Sequence, residues 1–101
     1  MSTFLFSYRM PTGYRPGEPE VMDAWNAWFE GLGASVVTRG NPVFESTSLG
    51  ECGPGTTLGG YTIVRADDLE SAVAMAKRCP ALRNTGAGIE VGVITELPAA
   101  S

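Results

Sequence analysis

The stretch Leu58-Gly-Gly-Tyr-Thr-Ile-Val-Arg-Ala-Asp-Asp-Leu-Glu-Ser-Ala-Val-Ala-Met-Ala-Lys-Arg-Cys-Pro80 decides the fold. It reads as a strand, a sharp turn and an amphipathic helix. Leu58 to Ala66 opens on a glycine pair and continues in β-branched and aromatic residues, the composition of a strand. Asp67 stands where a helix N-cap belongs, and Glu70, three residues on, completes an acidic capping box. Leu69, Ala72, Val73 and Ala76 then recur at helical spacing as one apolar stripe. Lys77 and Arg78 are expected in the last turn, where cations suit the carbonyl end of the helix dipole, and Pro80 is expected to stop the helix.

Upstream, Thr3 to Tyr8 alternates, with Phe4, Phe6 and Tyr8 on one face and Leu5, Ser7 and Arg9 on the other. Both faces are partly apolar, which suits a central strand. Pro11 to Pro19 is a proline- and glycine-rich loop, whose Tyr14 and Arg15 either cover a site or decorate a turn. A helix follows from about Glu20 to Leu32. Met22, Trp25, Phe29 and Leu32 form its stripe, widened by Val21 and Trp28, and Gly31 and Gly33 end it. The two tryptophans are core and oligomer-contact residues in the plain reading; a ligand stacked on Trp25 or Trp28 is the sharper one.

Ala34 to Thr38 is a short strand, and Arg39-Gly40-Asn41-Pro42 turns or bends it. A proline there requires an edge strand or a bulge. Glu45 to Thr57 has almost nothing to bury and reads as a long loop between antiparallel strands. Ile89 to Leu97 sets Ile89, Val91 and Val93 against Glu90 and Gly92, a half-buried last strand. The order β, α, β, β, α, β with right-handed crossovers predicts an α+β, ferredoxin-like domain over residues 1–101. Its sheet is antiparallel and four-stranded, strands one and three are central, and both helices lie on one face. The other face has no partner in the chain, so apolar side chains are left on it. That predicts a homodimer packed sheet to sheet, a dimeric α+β barrel enclosing a cleft.

Composition narrows the function classes. With 44% apolar and 18% charged residues the chain is an ordinary globular domain. A net charge of −4 disfavours nucleic acid and anionic membrane surfaces. No apolar run approaches the roughly 20 residues a membrane span needs, and Met1 to Met10 lacks the basic start of a signal peptide, so a cytoplasmic protein is expected. Two cysteines are too few for a disulfide framework, and without histidine they make a poor metal set. A Cys52–Cys79 bridge is the one pairing available. Cys79, near a helix C-terminus, reads as an inert packed thiol, and Cys52 as a thiol without an activating base.

The same residues carry a resemblance. The run from Leu58 to Pro80, followed by a glycine-containing turn and Ile89-Glu-Val-Gly-Val-Ile94, resembles the C-terminal half of YCII-related (DGPF-type) proteins. Met22-Asp-Ala-Trp-Asn-Ala-Trp-Phe-Glu-Gly-Leu-Gly33, followed by a short strand and Gly40-Asn-Pro-Val43, is similar to their N-terminal half. The resemblance implies a ferredoxin-like dimer with an active-site-like cleft at its sheet face, and binding or turnover of a small molecule. Two departures bear on catalysis. Some relatives pair a histidine with an aspartate, and this chain has no histidine. The Asp-Gly-Pro-Phe signature is reduced to Cys52-Gly53-Pro54-Gly55, losing the acid and the aromatic. Fold and dimer carry over; catalysis does not.

Among candidate chemical groups, Asp67 and Asp68 are explained as helix-start residues, and Glu18 and Glu20 as solvated loop acids. The glycine-rich run before Tyr61 leads into a strand, so it makes no phosphate cradle. No cofactor is expected. The groups suited to a cleft are Arg9, Trp28, Asn41 and Tyr61, with Arg39 beside them; the arginines suit a small anionic ligand. Two other readings stand next to ligand binding. One is an enzyme without histidine, using tyrosine, arginine and a carboxylate on a small anionic metabolite. The other is a regulatory or protein-interaction module using the 45–57 or Pro11–Pro19 loop.

Overall fold

The computed structural model describes residues 1–13 and 19–97. Strand β1 spans Ser2–Pro11, helix α1 Pro19–Leu32, β2 Val36–Thr38, β3 Thr56–Ala66, helix α2 Leu69–Ala76 and β4 Gly88–Val93. The sheet order is β2-β3-β1-β4, all neighbours antiparallel, as a ferredoxin-like fold requires. The long strands β1 and β3 are central and the short ones lie at the edges. Among the described residues, no helix is long and apolar enough to cross a membrane. Tyr14, Arg15 and Glu18 lie outside the described residues.

The alternation of β1 sets the layers. Phe4, Phe6, Tyr8 and Met10 are all buried, and they share a core with Trp28 of α1, Ala72 and Ala76 of α2, and Val64 and Ala66 of β3. Both helices therefore cover this face. Trp28 ties them together: its indole stacks near Phe6 with centroids 6.1 Å apart, and its Nε1–H donates to the Met75 carbonyl at 3.1 Å. Burying such a ring is worth roughly 1.5–3 kcal/mol, and the hydrogen bond meets the polar cost of placing an indole there. On β4, Ile89 and Val91 pair with Tyr8 and Phe6 and pack against the same core. Leu5, Ser7 and Arg9 occupy the other face, with Ile63 and Glu90 opposite Leu5 and Ser7 on the flanking strands.

Several boundaries differ from the sequence reading. The N-cap of α2 is Asp68, whose extended backbone (φ −156°, ψ 174°) lets its carboxylate accept the Ser71 N–H at 2.8 Å. Asp67 and Glu70 do not form the expected box, because the turn out of β3 uses one more residue before the first helical dihedrals. The helix ends at Ala76, so Lys77 and Arg78 fall beyond its last turn rather than inside it. Pro80 does not stop α2 but opens a 3-10 turn, Pro80–Arg83, where its fixed φ and missing N–H cost nothing. Ala34 and Ser35 belong to a 3-10 turn, and β4 stops at Val93, followed by one further ladder bond from Ile94 N–H to Thr3 carbonyl at 2.8 Å. Both cysteines are free thiols, Cys52 exposed and Cys79 buried, so the Cys52–Cys79 pairing is not made.

Candidate functional site

A cavity of about 500 Å³ opens between α1, the ends of β1 and β3, and the chain leaving β2. That chain creates it. After Thr38 the backbone bends at Gly40, then resumes pairing along β3 through a Pro42–Gly60 bridge. Tyr61 N–H donates to the Asn41 carbonyl at 3.3 Å, and Val43 N–H to the Gly59 carbonyl at 3.1 Å. Residues 39–43 are thus a strap laid along the edge of the sheet, and Phe44 follows at the cavity wall. Two glycines make the close approach feasible. Gly40 has φ +71°, and a Cβ on Gly60 would come within 3.0 Å of the Asn41 carbonyl oxygen. The ladder between β1 and β3 slips by one residue here, Tyr8 facing Gly60 and Arg9 facing Leu58, so a bulge opens the sheet at the cavity floor.

The walls are aromatic. Tyr8 meets Trp25 edge-on with centroids 4.9 Å apart, and Phe29 lies 6.0 Å from Trp25. Met10 and Met22 add to the lining, and thioethers suit such irregular contacts. The polar groups pair off. Arg39 Nη1 donates to Asn26 Oδ1 at 3.2 Å, with its guanidinium 4.9 Å over the Phe29 ring. Asn41 Nδ2 donates to the Tyr61 hydroxyl at 3.4 Å.

Behind the wall, a buried relay fixes the strap. Thr62, fully buried, donates its hydroxyl hydrogen to the Arg39 carbonyl at 2.9 Å. Its oxygen is then free to accept, so the Tyr8 hydroxyl, 2.5 Å away, is the donor of that pair. Burial holds the Tyr8 phenol well above its ordinary pKa, only partly opposed by the bond to Thr62. Tyr8 is a protonated, committed donor at neutral pH, not an acid or base in waiting.

Of the four residues singled out from sequence, the structure brings Asn41 and Tyr61 to this cavity. Arg9 is not there. It lies in the other phase of β1, where it pairs with Glu90 at 3.8 Å and donates to the Thr56 carbonyl at 3.2 Å. Trp28 is not there either; its ring is core, and it borders a separate groove with Ala24 and Arg78. Trp25, the other tryptophan of the stripe, takes the place at the cavity. Sequence reasoning missed Met10 and Phe44 as lining residues, and reached Tyr8 only as a tyrosine of the enzyme reading. The Met22–Trp25–Phe29 stripe was readable, but nothing in it distinguished core from cavity wall. Among the described residues the cavity lining contains no carboxylate to stand beside Tyr8, Tyr61 and Arg39.

The YCII-related domain matches residues 1–97. The chain belongs to the YCII-related domain family. No curated protein compared with it matches significantly. Among solved structures, it is similar to 5-chloro-2-hydroxyhydroquinone dehydrochlorinase from Burkholderia phenoliruptrix, in complex with 2,5-dihydroxybenzoquinone. The two share 23% identity with a TM-score of 0.53, over 88% of this chain and 89% of that one. At that identity the likeness is one of fold. In this YCII-related domain the altered signature Cys52–Gly55 is exposed loop and does not line the cavity.

Proposed function

We propose that this YCII-related domain binds a small anionic organic molecule in the cavity between α1 and the 39–43 strap, and does so as a homodimer. The observation that carries the reading is the cavity itself, lined by the aromatic rings of Tyr8, Trp25, Phe29, Phe44 and Tyr61 together with Arg39, Asn26 and Asn41. A concave, mostly apolar site with a few convergent polar groups is what small-molecule recognition uses. The similar solved structure holds a small planar ring compound, which a site of this shape and size accommodates. The binding groups in this reading are Trp25, Arg39, Asn41 and Tyr61.

The dimer reading rests on the uncovered face of the sheet. Leu5, Leu58 and Ile63 are only half-buried there, beside Arg9 and Glu90. A second copy laid on that face removes this apolar surface from water. The free, exposed Cys52 suits a reducing compartment, the cytoplasm.

Isothermal titration calorimetry with 2,5-dihydroxybenzoquinone and with simple hydroxybenzoates tests the binding reading. Saturable binding with one site per chain, lost in Trp25→Ala, is expected. No heat from any of these compounds at millimolar concentration would contradict it. Light scattering should return twice the 10.6 kDa chain mass, and a monomer mass at micromolar concentration overturns the dimer.

A further inference from the structure

We propose that Arg39 is the charge-selecting residue of this cavity, and that it selects planar aromatic or enolic anions, read through a two-oxygen edge. The inference rests on the cavity being the ligand site.

The base of Arg39 is fixed and its tip is not. Its carbonyl is held by the buried Thr62 hydroxyl, and the next residue's N–H is held by Thr38 Oγ1 at 3.1 Å. The guanidinium, by contrast, makes one exposed hydrogen bond, to the Asn26 amide oxygen, and rests over the Phe29 ring. Among the described residues it has no carboxylate partner, and it is the one cation that lines the cavity. A guanidinium has five N–H donors. Here Nη2 and Nε carry no hydrogen bond among the described residues, and that pair of nitrogens forms an edge that matches two oxygens of a carboxylate.

The other polar groups cannot provide the selection. The Tyr8 hydroxyl is spent on Thr62, while the Asn26 amide, the second N–H of Asn41 and the Tyr61 hydroxyl hydrogen can still donate. These are uncharged donors that serve a carboxamide oxygen as well as a carboxylate, so discrimination by charge falls to Arg39. The aromatic walls supply affinity without regard to charge; a guanidinium beside them with no carboxylate partner among the described residues makes an anion the favoured occupant, through charge-assisted hydrogen bonds. Lysine would keep the charge but not the forked edge or the seat on Phe29.

The test uses two isosteric planar probes, 2-naphthoate and 2-naphthamide, titrated calorimetrically into the wild-type protein, Arg39→Met and Arg39→Lys at neutral pH. Met keeps the stem over Phe29, and circular dichroism with thermal melts verifies that each variant folds. Wild type is expected to bind naphthoate at least tenfold more tightly than naphthamide. Arg39→Met should bring the two within twofold of each other, with the larger loss falling on naphthoate, and Arg39→Lys should recover only part of the preference. If wild type binds both probes equally, or if Arg39→Met retains the preference, Arg39 does not select and the proposal is overturned while the cavity stands. If neither probe binds the wild type, the cavity reading fails and takes this proposal with it.

Discussion

Gly40 lies so close to Tyr61 that a Cβ on Gly40 would stand 1.8 Å from the Tyr61 carbonyl oxygen. The obstruction is backbone, part of the central strand β3, and cannot rotate aside. The strap that walls the cavity can therefore be laid along the sheet only by a glycine, which also has to adopt a φ of +71°.

Gly40→Ala should accordingly destabilise the domain by about 2 kcal/mol or more, combining a strained φ with a displaced strap. Gly31→Ala, in helix α1 with open space around the added carbon, is expected to be neutral or to gain about 0.5–1 kcal/mol. Urea denaturation of the pair checks both signs. A Gly40→Ala midpoint equal to wild type would mean the strap is not held against Tyr61.

The relay from Tyr8 through Thr62 to the Arg39 carbonyl makes an ordered prediction. Tyr8→Phe removes a donor and leaves no buried group without its obligatory partner, costing about 0.5–1.5 kcal/mol. Thr62→Val strands both the Tyr8 hydroxyl and the Arg39 carbonyl, at about 1–3 kcal/mol for each group left buried and unpaired. Thr62→Val should be clearly the worse variant in equilibrium unfolding; the reverse order would show that the relay runs through other groups.

Asp68 carries a pH signature. The Ser71 backbone N–H, its first partner, holds the Asp68 carboxyl below its ordinary pKa. A depressed carboxyl stabilises the fold fully above its unfolded pKa, and that contribution is lost as pH falls through the folded value. Thermal melts should therefore show Asp68→Ala below wild type at pH 7, with the gap closing in acid. Asp67→Ala should track wild type throughout. A gap for Asp67→Ala and none for Asp68→Ala would return the cap to the first of the two acids.

The thiols should separate cleanly. Burial pushes the Cys79 thiol up to about 12, while Cys52 is exposed. Native protein treated with iodoacetamide at pH 8 should take one label per chain, at Cys52, and a second only after unfolding. Labelling of native Cys79 at a comparable rate would show that the α2–β4 region opens readily.

What was legible in the sequence follows from where each signal originates. The element order and the strand centrality are local or periodic, and the sheet order shows them together. The alternation of β1 does not say which of its faces the helices take, since both are partly apolar; packing against Trp28, Ala72 and Ala76 selects the Phe4 and Phe6 side. Asp67 against Asp68 was not decidable, since either acid can cap and the choice depends on how far β3 runs before it turns. Two residues of the cavity were legible, Asn41 at a bend and Tyr61 on the neighbouring strand, but its place was not: the cleft is expected at the open sheet face, and the cavity lies against α1 on the face that carries Tyr8 and Met10. Arg9 and Trp28 are polar and aromatic in the expected way, but they answer to other partners, Glu90 and Met75, which only tertiary packing supplies. Tyr8 and Trp25 face each other across a distance in sequence that periodicity does not span.

The two tryptophans provide the most direct test of the ligand site, because one lines the cavity and the other is locked in the core. Each contributes one indole N–H signal to a ¹H–¹⁵N correlation spectrum, assignable with Trp25→Phe and Trp28→Phe. On titration with 2-naphthoate the account predicts that the Trp25 indole signal shifts progressively to saturation while that of Trp28, donating to the Met75 carbonyl, stays in place. Binding that saturates with the Trp25 signal unmoved, or with the Trp28 signal alone displaced, would contradict the assignment of this cavity as the ligand site.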